Sequence, residues 1–304
     1  MSYLEKIIED LNIGNLVYPR NDKEAYTMYH DFNNVYNKLE LFKYQKINCN
    51  PLPILPDKND YPVVIKPIIN LYGMGLNSIK INNEKEIVKY KKSGFFWCKF
   101  VSGKHISYDL IVNKGVIIYH CAFEGIKHRT FGMFKKWTQI DISIPNIIKK
   151  YIKDKLLNYT GSVNIEVIGE TMIEVHLRMG DIDFCHDDIL KLALLNINNK
   201  HEQVFKQLEI IKKNKYKPIY LIPLWLKTEN EDKTKKSYDI IEQDITHKLE
   251  IDDNIIGYYF DEINHPNPND KYRRWLLLIG HDEKYLNKQI NKYRRIIKTN
   301  LSKF

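Results

Sequence analysis

Cysteine is scarce in this chain: four residues in 304, Cys49, Cys98, Cys121 and Cys185, with no CxxC pair among them. Such spacing points to neither a disulfide framework nor a thiolate zinc knuckle, so free thiols in a reducing compartment are expected. No run approaches the roughly 20 consecutive apolar residues that a membrane-spanning helix needs. The opening MSYLEKIIEDLNIG reads as a short amphipathic helix with charges of both signs, without the basic region and apolar run of an export signal. A cytoplasmic protein with no membrane partner is expected, and the motif Asn158-Tyr159-Thr160 is then an accidental glycosylation match. Four catalytic signatures are also missing. There is no GKS or GKT after a glycine loop, no GxGxxG, no HExxH and no GxSxG. A cysteine nucleophile at Cys98 or Cys185 has no positioned partner.

What is present is a chain with 43% hydrophobic residues, enough to bury a substantial core. Its 47 Lys and Arg against 38 Asp and Glu give a formal charge of +9. The lysines are dispersed rather than gathered in a stripe, so nucleic acid is not the expected partner. An anionic small molecule would be served equally well.

The pattern alternates short strand and helix signals. A helix is expected through Asn37–Gln45, followed by an extended connection forced by Pro51 and Pro53. Strands are expected at 62–67, 78–81, 95–101 and 106–112, with a flexible turn at 70–75 and a helix from Glu84 to Tyr90. A turn at 113–115 leads into a strand at 116–120, and 127–136 reads as a basic loop. A helix at 145–157 precedes a hairpin, 162–168 and 172–177, turning at Gly169-Glu170-Thr171. Helices at 186–198 and 201–213 follow, then a strand at 218–225, polar breaks at 228–236 and 264–270, a strand at 275–279 and a basic helix from Glu283. These signals favour α+β architecture with antiparallel sheets.

The hairpin carries the chemistry. Glu166 and Glu174 each sit amid apolar strand residues, where an unpaired charge is costly. Two carboxylates facing one cleft suit Mg²⁺, which prefers hard oxygen ligands and keeps phosphate and water in its shell. The competing reading has both facing solvent or paired with lysines. Lys66 closes an apolar strand before Pro67, from where it can reach a phosphate. Gly73-Met74-Gly75 can bring backbone amides to phosphates. Lys127, His128, Arg129 and Arg178 are candidate phosphate or carboxylate contacts.

In this order the elements resemble the ATP-grasp superfamily over roughly residues 35–180. Asn37-Lys38 before a helix looks like the family's first ATP-contacting lysine, and Lys66 in Val64-Ile65-Lys66-Pro67 like the second. Phe96–Gly103 resembles the inter-lobe hinge, where the backbones of Lys99 and Val101 would meet adenine. Cys98 stands where family members commonly have glutamate, and His105 or Ser107 near where another contacts ribose or substrate. The most specific match is "IEVHLR", residues 173–178, against the family's "IExNxR". Glu166 and Glu174 would be magnesium carboxylates, His176 would replace the metal-ligating asparagine, and Arg178 would steady the reacting phosphate.

The resemblance implies two α+β lobes clasping ATP between antiparallel sheets. Its divisions would be a shortened N-terminal region at 1–60, a small ATP-binding lobe at 61–112 and a large lobe at 113–304. It implies a ligase using ATP with Mg²⁺, or Mn²⁺ in its place, to join small-molecule carboxylate and amine substrates. Lys66, Arg178 and Arg129 would be catalytic. Lys38, Lys66, Gly73, Gly75, Lys99, Val101 and His105 would hold the nucleotide, and Glu166, Glu174 and His176 the metal. Residues 120–137 and the loop at Asp181-Ile182-Asp183, with Asp183 or His186, would select substrate. A macromolecular acceptor and a homodimer are compatible with it. A kinase on the same fold and a degenerate nucleotide-binding module are the alternatives. Glu174→Ala is expected to abolish magnesium-dependent turnover with little loss of folding.

Overall fold

The computed structural model describes residues 18–72, 75, 77–90, 93–130, 132–180, 187–227, 235–261 and 272–301, with residues 7 and 11 besides. The chain forms two compact units, one of residues 1–124 and 140–215, the other of 125–139 and 216–304. Its class is α+β, with antiparallel strand pairing as the sequence led us to expect.

The first unit opens with α1 (Asp22–Met28), capped by the Asn21 side chain, which accepts from the Glu24 amide. A 3₁₀ segment, His30–Tyr36, leads into α2 (Lys38–Tyr44), where Asn37 repeats the device by accepting from the Glu40 amide at 3.0 Å. Prolines then impose extended chain, and a four-stranded sheet follows from β1 (Cys49–Pro51), β2 (Val63–Pro67), β3 (Ile79–Ile81) and β4 (Phe95–Lys99). Its order is β1-β4-β2-β3, all antiparallel. The helix expected at 84–90 is shorter than a full helix. It comprises α3 (Glu84–Ile87) and a 3₁₀ turn.

A second sheet region in this unit joins β5 (His105–Asn113) to β8 (Gly161–Ile168) and β8 to β9 (Thr171–His176), with β6 (Val116–Lys127) on the other side of β5 through Glu124. Tyr108–Val112 of β5 are buried in unbroken succession because both faces are covered. The core includes Leu110, Val163 and Ile165 with Ile148 and Ile152 of α4 (Asn146–Lys155). Two further helices, α5 (Asp187–Ile197) and α6 (His201–Lys213), match the expected spans closely. Lys114 and Gly115 both have positive φ in the β5–β6 turn, +47° and +76°. A Cβ at Gly115 would stand 2.2 Å from the Leu157 carbonyl oxygen. Gly115→Ala is therefore expected to cost at least about 1 kcal/mol, read as a lowered thermal midpoint, with an unchanged midpoint contradicting this account.

The second unit contains β7 (Phe134–Ile140) through Gln139, β10 (Tyr220–Lys227), β11 (Gly257–Phe260) and β12 (Tyr272–Gly280), in the order β11-β12-β10-β7. Its helices are α7 (Lys235–Glu250) and α8 (Glu283–Leu301). Ile241, Ile245 and Leu249 join Leu286, Ile290, Tyr293 and Ile297 against Leu224, Trp275 and Leu278. Two sequence expectations are corrected here. The strand expected at 116–120 runs on to Lys127, and part of the basic loop at 127–136 belongs to β7, because apolar residues alternate weakly there among cations. Helix α7 was missed although Ile241, Ile245 and Leu249 repeat at intervals of four, since the polar run before it suggested only a loop.

Among the described residues, no helix is long and apolar enough to cross a membrane.

Candidate functional site

Antiparallel pairing with a one-residue bulge brings the two hairpin glutamates together. Glu166 of β8 lies directly opposite Glu174 of β9, and Asn164 opposite His176. On the other side of β8, Ser107 is opposite Glu166 and Asp109 opposite Asn164. With a side-chain period of two, one sheet face therefore presents two polar rows, Ser107–Glu166–Glu174 and Asp109–Asn164–His176. The register then slips so that Val167 faces Met172, which leaves Ile173 as the extra residue of a bulge.

Helix α2 covers the β9 edge at this irregularity. The Gln45 amide donates to the Met172 carbonyl and its oxygen accepts from the Met172 amide, each at 2.8 Å, supplying the ladder bonds an exposed edge would lack. The carbonyl of the bulge residue Ile173 accepts from Lys66 Nζ at 3.2 Å. Lys66 is buried beneath aromatic rings, with its ammonium 4.5 Å from the Phe42 ring centre and 5.8 Å from that of Phe96. Burial lowers its pKa, and Lys38 adds to that while Glu174 and Glu166 act against it.

Glu174 is buried and engaged at both oxygens. Oε1 accepts from Lys38 Nζ, and Oε2 lies 3.3 Å from His176 Nε2. Burial would raise its pKa, but Lys38 and His176 bring it well below the ordinary carboxylate range. The other imidazole nitrogen, Nδ1, lies 3.0 Å from Oδ1 of Asp22, a residue in the first turn of α1. Asp22 is 2% exposed and also accepts from Arg178 Nε at 3.0 Å, Arg178 Nη2 at 2.8 Å and the Tyr36 hydroxyl at 3.3 Å. Tyr36 in turn accepts from the Leu177 amide. Burial opposes ionisation of Asp22, yet His176 and Arg178 hold its pKa far below the usual value.

The expected site residues are distributed as follows. Lys38, Lys66, Glu166, Glu174 and His176 converge, and the three metal candidates each offer an atom within 4.8 Å of the others. His105 is buried with Nε2 2.9 Å from Glu166 Oε2. Arg178 is held by Asp22 and also donates from Nη1 to the Met179 carbonyl. The Lys99 amide donates to the Asn48 carbonyl, while Val101 lies just beyond β4. Gly75 has φ of +61° and open space where a Cβ would stand. Arg129 is exposed and belongs to the second unit. Gly73, Asp183, Cys185 and His186 lie outside the described residues. Cys98 is buried, which pushes its thiol up to about 11, and an inert packing role suits it better than nucleophilic attack.

Sequence reading missed Asp22. Its one local signal is an acidic residue in the first turn of a capped helix, which is commonplace on protein surfaces.

The network makes stability pH-dependent. Burial by itself lowers the His176 pKa, but the Asp22 charge and hydrogen bond, with that of Glu174, raise it from 6.5 to about 9. A group raised on folding stabilises fully below its unfolded pKa and loses that contribution as pH climbs through the folded one. The interval from 6.5 to about 9 corresponds to on the order of 3 kcal/mol. Lys66 acts in the opposite sense, so the loss is best read as the difference between wild type and His176→Asn in urea midpoint, compared at about pH 6 and about pH 9.5. Equal pH profiles for the two proteins would contradict it. Asp22 and Glu174, both depressed, stabilise above their ordinary values of 3.8 and 4.5 and lose that contribution on further acidification.

No family model matches the sequence, and no curated protein matches it. Solved structures do match. The chain is similar to the L-amino acid ligase from Bacillus licheniformis, at TM-score 0.56 and 13% identity over 95% of this chain and 75% of that one. It is similar to carboxyaminoimidazole ribonucleotide synthase from Aspergillus clavatus complexed with ATP, at 0.55 and 10% over 89% and 74%. A third likeness is to N5-carboxyaminoimidazole synthase from the same organism in complex with ADP and 5-aminoimidazole ribonucleotide, at 0.53 and 9% over 88% and 75%. At these identities the likeness establishes a shared fold.

Proposed function

Taking as premise the ATP-grasp fold that these structures share with the chain, we propose that it is an ATP-dependent ligase joining a carboxylate to an amine. The observation that carries this reading is the convergence of Lys38 and Lys66 with Glu166 and Glu174 on one sheet face. A lysine pair neutralises phosphate charge, and paired carboxylates suit a hard divalent ion.

The residues fit such an ion in part. Each carboxylate oxygen has two lone pairs, so Glu174 can hold a cation while still accepting from Lys38 and His176, and half-buried Glu166 is paired with His105 among the described residues. Glu166 and Glu174 would therefore hold Mg²⁺ or Mn²⁺, which would supply charge neutralisation at the transferred phosphoryl group. In the reaction a substrate carboxylate oxygen attacks the γ-phosphorus of ATP, forming an acyl phosphate and releasing ADP. The amine then attacks the acyl carbon, phosphate leaves, and the nitrogen loses a proton. Lys66 would orient the phosphates, with its aromatic surroundings excluding water and strengthening the interaction. Lys38 would set the charge at Glu174, while Gly75, Lys99, Val101 and His105 would border the nucleotide.

A second reading, a nucleotide-binding module without turnover, is favoured by one observation: all three Arg178 nitrogens already have acceptors in Asp22 and Met179. Purified protein with ATP, Mg²⁺ and pooled carboxylates and amines decides between them. ADP and phosphate release with a ligated product mass supports the ligase, a phosphorylated product indicates a kinase, and nucleotide binding without any turnover selects the module. Failure to bind ATP would end all three readings.

A further inference from the structure

The cysteines are far apart along the chain, but the four-stranded sheet sets two of them face to face. Cys49 of β1 lies directly opposite Cys98 of β4. The ladder bonds fall on alternate pairs, from the Lys99 amide to the Asn48 carbonyl and from the Leu52 amide to the Phe95 carbonyl, each at 3.0 Å. Cys49–Cys98 is therefore a non-hydrogen-bonded pair. At such a pair the Cα atoms stand about 4.5 Å apart and the side chains make their closest approach on one face of the sheet. That separation falls in the range of roughly 4.4–6.8 Å that a disulfide spans.

The surroundings agree with this placement. Both thiols belong to one apolar cluster with Leu39 and Phe42 of α2 and with Phe96. Each engages a different carbonyl weakly: Cys49 Sγ is 3.9 Å from the Leu39 oxygen, and Cys98 Sγ is 3.7 Å from the Val64 oxygen. Turning both sulfurs toward each other forfeits little, since a thiol is a weak donor. They are close enough for charge on Cys49 to raise the Cys98 pKa. Burial raises both thiols and makes each a poor nucleophile toward a large substrate, but a bond between the two requires no visitor larger than an oxidant. Cys49 is the more accessible, 7% exposed against 2%. It sits on a three-residue edge strand paired on one side, the kind of segment that opens locally at low cost. Apolar packing alone would account for two buried cysteines, but gives no reason for them to meet at this register position.

We propose that Cys49 and Cys98 form a reversible dithiol–disulfide pair oxidised by peroxide. The Cys49 thiolate attacks one oxygen of hydrogen peroxide, the O–O bond breaks, the sulfur becomes a sulfenic acid, and the released hydroxide takes up the thiol proton as water. The Cys98 sulfur then attacks the Cys49 sulfur. The S–S bond forms, the S–O bond breaks, and the departing hydroxide leaves with the Cys98 proton as a second water. Two electrons pass from the thiols to the peroxide, and a dithiol reductant returns them. The bond would join β1 to β4 one row from Lys66, which lies opposite Phe96, and so would stiffen the sheet that carries this lysine. The pair stands apart from the ligase reading and holds or fails without it.

Native full-length protein treated with hydrogen peroxide provides the test, with remaining thiols blocked by iodoacetamide in urea and tryptic peptides read by mass spectrometry. Cleavage after Lys46, Lys58, Lys92 and Lys99 puts the two cysteines on separate peptides, 47–58 and 93–99. Most chains are expected to carry these peptides joined, with the far-ultraviolet circular dichroism of the native protein unchanged, and to release them in dithiothreitol. Cys98→Ser should leave Cys49 as a sulfenic acid that dimedone traps, and Cys49→Ser should give no link. Recovery of both cysteines as alkylated thiols would overturn the proposal. So would oxidation of Cys49 to sulfinic acid without a link, a bond from either residue to Cys121 or Cys185, or a link that forms only once urea has unfolded the chain. The wild-type peptide map decides the matter even if neither variant folds.

Discussion

Glu174→Ala will unfold the first unit's site rather than merely silence it, lowering stability by about 3–5 kcal/mol. The sequence reading anticipated lost turnover with folding nearly intact. Burial argues for a larger structural cost. Glu174 is 8% exposed and is the shared acceptor of Lys38, itself 4% exposed, and of His176. Truncation would leave two buried cations facing each other across the vacated space, and removing one member of such a set costs far more than the pair contributes when intact. Glu174→Gln is the informative companion, since its amide oxygen still accepts from one cation while the formal charge is gone. Urea denaturation followed by far-ultraviolet circular dichroism reads both. A Glu174→Ala midpoint within about 1 kcal/mol of wild type would mean that this carboxylate is solvated and the buried network described here is wrong.

Asp22→Ala is expected to rank alongside it, at about 3–5 kcal/mol, although nothing about the residue's place in sequence announces importance. Its carboxylate takes four short contacts, from Tyr36, His176 and two Arg178 nitrogens, and so ties α1 to the end of β9 and the segment following it. Removal strands the Arg178 fork and one imidazole nitrogen at once. The effects of Asp22→Ala and Glu174→Ala should not add, because both act through His176. A double variant is expected to depart from the sum by about 0.5–3 kcal/mol in the urea midpoint. Strict additivity would show that His176 does not couple the two carboxylates.

Much of the architecture was legible beforehand because it rests on local pattern. The β8–β9 hairpin follows from two apolar runs around Gly169, whose φ is +62°. Strand β2 carries Lys66 one residue before its last, Pro67, as the apolar run implied. Helix α7 shows the limit of such reading. Its interval of four was present, but the polar approach and the few apolar residues made it weak, and packing against β10 and β12 supplies what its own sequence only hints at.

The site divides along the same line. Glu166 and Glu174 could be assigned to one hairpin from residue order, but the register its turn sets would put Ile173 opposite Glu166, and the bulge is what brings Glu174 there. Lys66 could be aimed at them because a strand end is rigid. What Glu174 and His176 do once there could not be read that way. Their protonation depends on neighbours 136 and 154 residues distant along the chain, Lys38 and Asp22, and on the burial that makes each charge insist on a partner. Local chain order thus settles which strands pair, a matter of period and turn geometry. Whether a carboxylate is a free ligand or a clasped counter-ion, and whether an imidazole accepts or only donates, is settled by the folded surroundings, because electrostatic energies there depend on distance and solvent exclusion that no stretch of sequence encodes by itself.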